Sequence, residues 1–172
     1  MYLNKYNSKL GLILMTSDGI YLTGLWFYHS KDNLKFSDEY EYKYLPIFDE
    51  TIRWLDIYFS GKEPDFTPIC KTNYSIFMNS VIDIVKEIPY GTTITYGDIA
   101  NKLKKDNMKK MSAQAVGHAV GQNMICIIIP CHRVMGKDNK LTGYGGGIEN
   151  KIKLLEIEHN DVTKYRRLTI KS

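Results

Sequence analysis

A short stretch of charged and turn-forming residues, 62–72, separates two parts of the chain that have different residue patterns. The stretch contains Pro64 and Pro68 among charges of both signs, a composition typical of a linker. We therefore place a domain boundary there and predict two domains, residues 1–72 and 73–172. A chain of 172 residues is long enough to form two small cores.

The part before the boundary has the pattern of a small sheet followed by a helix. Two apolar runs, residues 10–15 and 20–27, flank turn-forming residues at 17–19, which predicts a β-hairpin. Residues 49–60 carry apolar side chains at spacings of three and four, as in a helix that packs on one face. Gly61 follows in a C-cap position.

Residues that cap helices recur three times after the boundary. They are Ser75, Thr95 paired with Asp98 in a capping-box pattern, and Ser112. The third cap precedes a helix at residues 113–122, and a lysine-rich loop, residues 102–110, comes before it. Three short helices in this order predict a helix-turn-helix, and residues 148–159 form a further helix candidate.

Positive charge is concentrated in the second part of the chain. The net charge is +4, but residues 1–72 hold 8 basic and 10 acidic side chains, whereas residues 73–172 hold 15 and 9. This excess favours contact between the second part and a polyanion, although charge also serves solubility.

The three cysteines indicate a reducing compartment. Cys70, Cys126 and Cys131 form no C-x-x-C pair and are odd in number, which argues against a disulfide framework or a zinc site. Cys70 and Cys126 have the features of inert, buried thiols. No apolar run approaches the roughly 20 residues that cross a bilayer, and the N-terminus lacks a signal-peptide pattern. We expect a cytoplasmic protein with no membrane partner.

The most informative stretch is residues 127–134, Ile-Ile-Ile-Pro-Cys-His-Arg-Val. Its β-branched run predicts a buried strand that ends at Pro130 and leaves Cys131 at the rim of the core. A thiol needs a base or a favourable field to react at carbon, and His132 is the candidate base. Glu158 is the candidate carboxylate behind the imidazole.

With its surroundings, this stretch resembles the active-site signature of the O6-alkylguanine-DNA alkyltransferases, also called methylated-DNA-protein-cysteine methyltransferases. The resemblance extends over about residues 75–159. Its other segments are Ile88-Pro89-x-Gly91, Thr95-Tyr96-Gly97-x-Ile99-Ala100, Ala115-Val116-Gly117, Asn123, Gly143-Tyr144-x-Gly146-Gly147 and Lys153-Leu154-Leu155-x-x-Glu158. In the first part, Leu55-x-x-Tyr58-Phe59-x-Gly61 is similar to a weaker pattern of the same family.

The resemblance implies an α+β fold of two domains. The N-terminal domain is expected to be a ribonuclease H-like sheet with a helix, and the C-terminal one a winged-helix or helix-turn-helix domain that carries the cysteine. The implied function is repair of double-stranded DNA by transfer of an alkyl group from O6-alkylguanine, or alternatively O4-alkylthymine, to Cys131 after nucleotide flipping. A thioether offers water no easy leaving group, so the protein acts once. No cofactor or metal is implied, and a monomer is expected.

The resemblance also assigns residues to roles in the reaction. Cys131 is the acceptor, His132 the base that acts through a water molecule, and Glu158 the carboxylate that orients it. Asn123 braces the active-site turn, and Tyr96 lies beside the extruded nucleotide.

Further residues are expected to form the walls of the substrate pocket. The backbone carbonyls of Cys131 and Val134 would read the guanine amino group. Tyr144, Gly145 and Gly146 would form a lid, with the backbone N–H of Gly145 aimed at O6. Some members of the family have serine in place of this glycine.

The helix at residues 113–122 is expected to enter the minor groove of DNA, because its small residues allow close approach. Gln114 stands where the family usually has an arginine finger, and we expect it to weaken or slow flipping. The other predicted contacts to DNA or substrate are Thr95, Ala115, Gly117, Arg133, Lys109 and Lys110. Lys102, Lys104 and Lys105 are further candidates for phosphate binding, and a solvated loop is the alternative for all five lysines.

Three other classes of protein share parts of this pattern. A cysteine hydrolase would use the same side chains but would turn over repeatedly. A winged-helix regulator would bind a defined DNA sequence and has no use for a reactive cysteine. An alkyltransferase-like lesion sensor lacks the acceptor cysteine, which this chain has at position 131.

Overall fold

The computed structural model of the chain describes residues 1–37, 39–106 and 111–165, and its N-terminal half is built on a four-stranded sheet. The strands are β1 (Tyr2–Ser8), β2 (Gly11–Ser17), β3 (Leu22–Phe27) and β4 (Glu41–Tyr42). Their order in the sheet is β3-β2-β1-β4, with β4 parallel to β1 and the other neighbours antiparallel. The predicted hairpin corresponds to β2 and β3. The other two strands were not predicted, because Leu3 is the only buried residue of β1 and β4 is exposed.

Helix α1 (Pro46–Phe59) packs against this sheet, as its apolar periodicity predicts. It begins three residues before the predicted start, since proline at the first helical position loses no hydrogen bond. Gly61 follows its end with φ of 87°, the left-handed conformation expected there. The Tyr6 hydroxyl of β1 donates to Asp56 of α1 at 2.7 Å. Within the described residues no helix has the length and apolar character needed to span a membrane.

The C-terminal half contains three short helices, a two-stranded parallel sheet and a last helix. These elements are α2 (Ile76–Lys86), β5 (Ile94–Thr95), α3 (Tyr96–Lys105), α4 (Ala113–Gly121), β6 (Val134–Met135) and α5 (Ile148–Ile157). The three predicted caps are confirmed: Ser75, Thr95 and Ser112 each accept a backbone N–H in the first turn of α2, α3 and α4. Residues 102–105 belong to α3 rather than to a loop. The predicted α+β class is confirmed.

The two halves share one hydrophobic core and are also joined through their backbones. The N–H of Leu25, in β3, donates to the carbonyl oxygen of Met124, and the N–H of Cys126 donates to that of Leu25, both at 2.9 Å. Residues 124–126 therefore extend the N-terminal sheet at the free edge of β3. The segment that leads into the predicted active site is thus held by the other half of the chain.

The predicted strand over the isoleucine run at residues 127–129 is wrong. After the single bridge between Leu25 and Ile125, the backbone turns back on itself, and Ile127 has φ of 69°. The N–H of Ile129 donates to the carbonyl oxygen of Ile125 at 3.2 Å, inside the turn. Burial of apolar side chains produced the strand-like pattern, since Ile127 and Ile129 are each 1% exposed. A short apolar run is compatible with a buried turn when its polar backbone groups find partners.

Candidate active site

Cys131 is held at the end of this turn by the side chain of Asn123. The Oδ1 atom of Asn123 accepts the N–H of Ile125 at 3.0 Å, which closes the turn. Its Nδ2 atom donates to the carbonyl oxygens of Ile125 and Ile129 at 3.1 and 3.2 Å. The same Nδ2 atom lies 3.1 Å from Sγ of Cys131. The predicted brace and the predicted acceptor are therefore in direct contact.

The thiol of Cys131 is buried, yet its surroundings favour the thiolate. Cys131 opens a single 3-10 turn (Cys131–Arg133) and is 6% exposed. A hydrogen bond with Cys126 lowers the pKa of Cys131, burial raises it, and the hydrogen bond from Asn123 lowers it again. The net effect is a pKa below the ordinary value. A lowered pKa increases the fraction of thiolate, which is the nucleophilic form.

His132 and Glu158, which were predicted to act together, form a fully buried pair. Nε2 of His132 lies 2.5 Å from Oε2 of Glu158, the residue that directly follows α5. The hydroxyl of Tyr58, in α1, donates to the same Oε2 at 2.6 Å. Sequence analysis gave Tyr58 no role, although it lies in the family-like pattern of the N-terminal half. The other ring nitrogen of His132, Nδ1, has no hydrogen-bond partner among the described residues.

Burial and pairing have different effects on the two members of this pair. Burial lowers the pKa of His132 and outweighs the hydrogen bond to Glu158, so the imidazole is neutral. Burial alone would raise the pKa of Glu158, but the hydrogen bond from His132, together with the hydrogen bond and positive charge of Arg133, lowers it to about 2. A neutral imidazole that donates its Nε2 proton keeps a lone pair on Nδ1. This is the form that a general base requires.

Arg133, which was predicted to contact substrate or DNA, has its guanidinium paired inside the protein. Its Nε donates to Oε1 of Glu158 at 2.6 Å, and its Nη1 donates to the carbonyl oxygen of Ile88 at 2.8 Å. The side chain is 10% exposed. A buried carboxylate without a cationic partner is strongly destabilising, and Arg133 supplies that partner. Arg133 therefore positions Glu158, and through it His132.

The N-terminal half also contributes an ion pair that the sequence analysis did not predict. Asp32 and Lys35 lie in one 3-10 helix (Lys31–Lys35), with Oδ1 and Nζ 2.6 Å apart. Nζ of Lys35 also donates to the carbonyl oxygens of Gly121 and Asn123, at 2.7 and 3.1 Å. These carbonyls mark the end of α4 and the start of the active-site turn. No local signal identifies the pair, because its role depends on how the two halves dock.

The predicted lid closes over a small cavity beside Cys131. Tyr144 and Gly145 line this cavity, whose volume is about 30 Å³, enough for a water molecule. The carbonyl oxygen of Gly145 accepts the N–H of Asp32 at 3.3 Å. A Cβ atom at position 145 would overlap the Asp32 carboxylate, and one at Gly146 would press on the ring of Tyr144. Glycine is therefore required at position 145 while Asp32 is in place.

The two backbone carbonyls expected to read guanine already accept one hydrogen bond each. The carbonyl oxygen of Cys131 accepts the N–H of Val134, and that of Val134 accepts Nζ of Lys151 at 2.7 Å. Lys151, in α5, is 1% exposed, and burial lowers its pKa to about 8. A carbonyl oxygen has two lone pairs, so each retains one for a substrate. Lys151 was not among the predicted site residues.

Tyr96 lies at the start of α3 and lines the same cavity as Cys131. Its hydroxyl is 2.9 Å from Oγ1 of Thr142. Gly117 of α4 packs next to this ring, which would make an ordinary contact at 3.7 Å with a Cβ atom at that position. The structure thus brings Tyr96, Gly117 and the acceptor thiol together.

Helix α4 presents Gln114 to solvent, while Ala115 and Gly117 are partly buried. Among the remaining candidates, Thr95 uses its hydroxyl to cap α3 by accepting the N–H of Asp98 at 3.1 Å. That hydroxyl can still donate its proton to an acceptor. The exposed face of α4 therefore combines a polar side chain with small neighbours.

The lysines predicted to meet phosphate fall into two groups. Lys102, Lys104 and Lys105 are exposed in the last turn of α3. Lys102 forms an ion pair with Glu87 at 2.9 Å. Lys109 and Lys110 lie outside the described residues.

Two family models match the chain. The first, described as 6-O-methylguanine DNA methyltransferase, ribonuclease-like domain, matches residues 1–70. The second, described as 6-O-methylguanine DNA methyltransferase, DNA binding domain, matches residues 76–160.

Individual relatives are similar over nearly the whole chain. A methylated-DNA–protein-cysteine methyltransferase of Haemophilus influenzae is 39% identical over 92% of this chain and 86% of its own length. One from Methanosarcina acetivorans is 38% identical over 92% and 98%. The crystal structure of Mycobacterium tuberculosis OGT in complex with DNA superposes with a TM-score of 0.81 and 32% identity, covering 96% of each chain.

Proposed function

The chain belongs to the 6-O-methylguanine DNA methyltransferase family, and on this premise we propose that the sulfur of Cys131 accepts the alkyl group. The protein is a DNA-repair enzyme of direct alkyl transfer with a DNA-binding domain, which confirms the predicted function and its DNA partner. The acceptor residue, the lesion and the steps that follow are our proposal.

One observation carries the assignment to Cys131. Its buried thiol accepts a hydrogen bond from Asn123, has a lowered pKa and directly precedes a neutral His132, whose Nδ1 has no hydrogen-bond partner among the described residues. The other two cysteines lack this combination. Burial raises the pKa of Cys70 to about 11. The pKa of Cys126 is raised by its interaction with Cys131 and also by burial. A nucleophilic thiol requires both a low pKa and a proton acceptor.

The proposed reaction needs only the protein and the damaged base. The Cys131 proton passes to Nδ1 of His132 through a water molecule, and Glu158 stabilises the charged imidazole by accepting a hydrogen bond from its Nε2–H. The sulfur then bonds to the alkyl carbon of O6-alkylguanine as the bond from that carbon to O6 breaks. The electron pair stays with the guanine, which takes up the proton from the His132 imidazolium through water, so that His132 returns to its neutral form. The thioether that remains is inert to water, so each molecule reacts once.

Access to the thiol requires the lid to move. A cavity of about 30 Å³ holds water but not a purine. We infer that the flipped nucleotide displaces Tyr144 and Gly145 and comes to lie against Tyr96. Flipping costs a few kcal/mol, which contacts elsewhere must supply. Helix α4 and the lysines of α3 are our candidates, with Lys109 and Lys110 retained as predictions.

The decisive experiment incubates the protein with a duplex that contains one O6-methylguanine and then measures the mass of its tryptic peptides. The peptide of residues 111–133 should gain one methyl group, in a ratio of one methyl per protein molecule. Because Cys126 lies on the same peptide, fragment ions must assign the methyl group to Cys131. The same duplex with ordinary guanine is the control. Repeated turnover, or a methyl group on another residue, would contradict the proposal.

Gln114 provides a separate test of how the nucleotide is flipped. Replacing it with arginine should increase the transfer rate on a duplex by about fivefold, because a guanidinium adds stacking and charge where the base leaves the helix. A single-stranded oligonucleotide should react at an unchanged rate. The control is Gln122→Arg, which places the same charge at the exposed C-terminal end of α4. Equal duplex rates for the wild-type protein and Gln114→Arg would show that this position contributes little.

A further inference from the structure

Cys126 is a second buried thiol at the active site that the transfer reaction does not use. It lines the same small cavity as Cys131, and the two thiols are near enough for each to shift the pKa of the other. Cys126 is 2% exposed. The third cysteine, Cys70, does not line this cavity, and its thiol donates to the carbonyl oxygen of Pro68 at 3.3 Å. Sequence analysis treated Cys126 as inert, but its position next to the nucleophile gives it a reaction partner.

Cys126 also has a proton acceptor of its own. Its Sγ lies 3.1 Å from Oδ2 of Asp32, a carboxylate of the N-terminal half that is 2% exposed. The proton of this thiol therefore points to Asp32. Lys35 compensates the charge of Asp32 through the other carboxylate oxygen. Cys126 thus sits between a reactive sulfur and a buried base.

We propose that Cys126 and Cys131 form a reversible disulfide when the protein meets a peroxide, so that Cys126 serves as the resolving cysteine for the acceptor. The two sulfurs line a cavity of about 30 Å³ through which a small oxidant can reach them. A DNA lesion is not needed for this reaction. Only its consequence, the temporary loss of alkyl transfer, rests on the proposed role of Cys131.

The chemistry proceeds in two steps. The Cys131 thiolate attacks one oxygen of the peroxide, giving a sulfenic acid at Cys131 and hydroxide. The Cys126 sulfur then bonds to the Cys131 sulfur, the sulfenic oxygen leaves, and Asp32 takes the Cys126 proton and passes it to that oxygen. In sum, two thiols and one peroxide give one disulfide and two water molecules. A thiol reductant returns two electrons and restores both cysteines.

The disulfide would protect a protein that can react only once. Without a resolving thiol, a sulfenic acid is oxidised further to sulfinic and sulfonic acids, and thiol reductants do not reverse those products. With Cys126 in contact, intramolecular capture competes with further oxidation.

The test exposes the full-length protein to hydrogen peroxide, blocks the remaining thiols with an alkylating reagent after unfolding, and weighs the peptide of residues 111–133. In the wild-type protein this peptide should lack two hydrogens and carry no alkylating reagent. Alkyl transfer, relative to each untreated protein, should be lost and then recover fully with dithiothreitol. Cys126→Ser should recover at least about tenfold less. Cys70→Ser is the matched control and should behave like the wild-type protein.

Two results would overturn the proposal. One is found at a peroxide dose that abolishes transfer: either both thiols of peptide 111–133 carry the alkylating reagent, or Cys131 is overoxidised. The other is equal recovery of Cys126→Ser and wild-type protein. The peptide mass of the wild-type protein is informative even if Cys126→Ser folds poorly. If the internal disulfide forms but no methyl group ever reaches Cys131, the proposed function fails and this inference stands.

Discussion

Replacing Cys131 with serine is expected to abolish alkyl transfer while the protein stays folded. A hydroxyl has a much higher pKa than a thiol and is a far weaker nucleophile towards carbon, so the rate should fall at least about 10³-fold. The fold should persist because serine is nearly the same size and Nδ2 of Asn123 can donate to its oxygen as it does to sulfur. The assay follows a labelled methyl group from duplex to protein.

The control for this experiment is Cys70→Ser. Cys70 is half-buried near the surface, and its thiol hydrogen-bonds only within its own loop. This variant should transfer the methyl group at the wild-type rate. Transfer by Cys131→Ser, or loss of transfer in Cys70→Ser, would show that the acceptor has been assigned to the wrong cysteine.

Replacing Glu158 with alanine is expected to cause the largest loss of stability of any single change at the site. Glu158 accepts hydrogen bonds from His132, Arg133 and Tyr58 and has a fully buried side chain. Its removal leaves Arg133 as a buried charge without a partner, which costs about 3–5 kcal/mol. Transfer should also slow, because His132 loses the group that fixes its orientation. Urea unfolding and single-turnover rates measure the two effects.

Tyr58→Phe is the matched control for Glu158→Ala. It removes one donor to the carboxylate and leaves the pairing with Arg133 intact. The expected loss of stability is about 1.5–3 kcal/mol, the value for a hydrogen bond to a charged group. A larger loss for Tyr58→Phe than for Glu158→Ala would contradict the idea that charge pairing dominates this network.

The same network makes the wild-type protein sensitive to acid. The pKa of Glu158 in the folded protein is about 2, below its ordinary value of 4.5. Its stabilising contribution, about 3 kcal/mol, is therefore complete above pH 4.5 and is lost as the pH falls from 4.5 to about 2. Glu158→Ala should show a correspondingly smaller fall in stability across this window. Parallel stability curves for the two proteins below pH 4.5 would contradict the assignment.

The helix starts of the C-terminal half could be predicted because their signals are local. Ser75, Thr95 and Ser112 each cap a helix by accepting a hydrogen bond from a residue only three positions away. The hydrogen bond between Asn123 and Cys131 joins residues that are eight positions apart. This contact was expected from the family resemblance. The pairing of His132 with Glu158 was expected on the same basis, as well as from the chemistry that a thiol requires.

The parts that the sequence did not reveal depend on contacts between distant segments. Residues 127–129 have the apolar, β-branched composition of a strand, but side-chain bonds from Asn123 satisfy the backbone of a turn. Arg133 was predicted to contact DNA or substrate, whereas its guanidinium pairs with Glu158 inside the protein. Asp32 contacts Cys126 although the two residues are 94 positions apart in the sequence. No periodicity or motif predicts a contact over that sequence separation.

The Asp32 carboxylate fills the space that a side chain at position 145 would need, so a change at either position limits which residues fit at the other. An aspartate at position 32 excludes a side chain at position 145, and a serine at position 145 would require a smaller or differently placed residue at position 32. Among related proteins, these two sites should therefore vary in concert although they belong to different halves. A chimera that joins the first half of one relative to the second half of another should inherit a steric conflict wherever this match is broken.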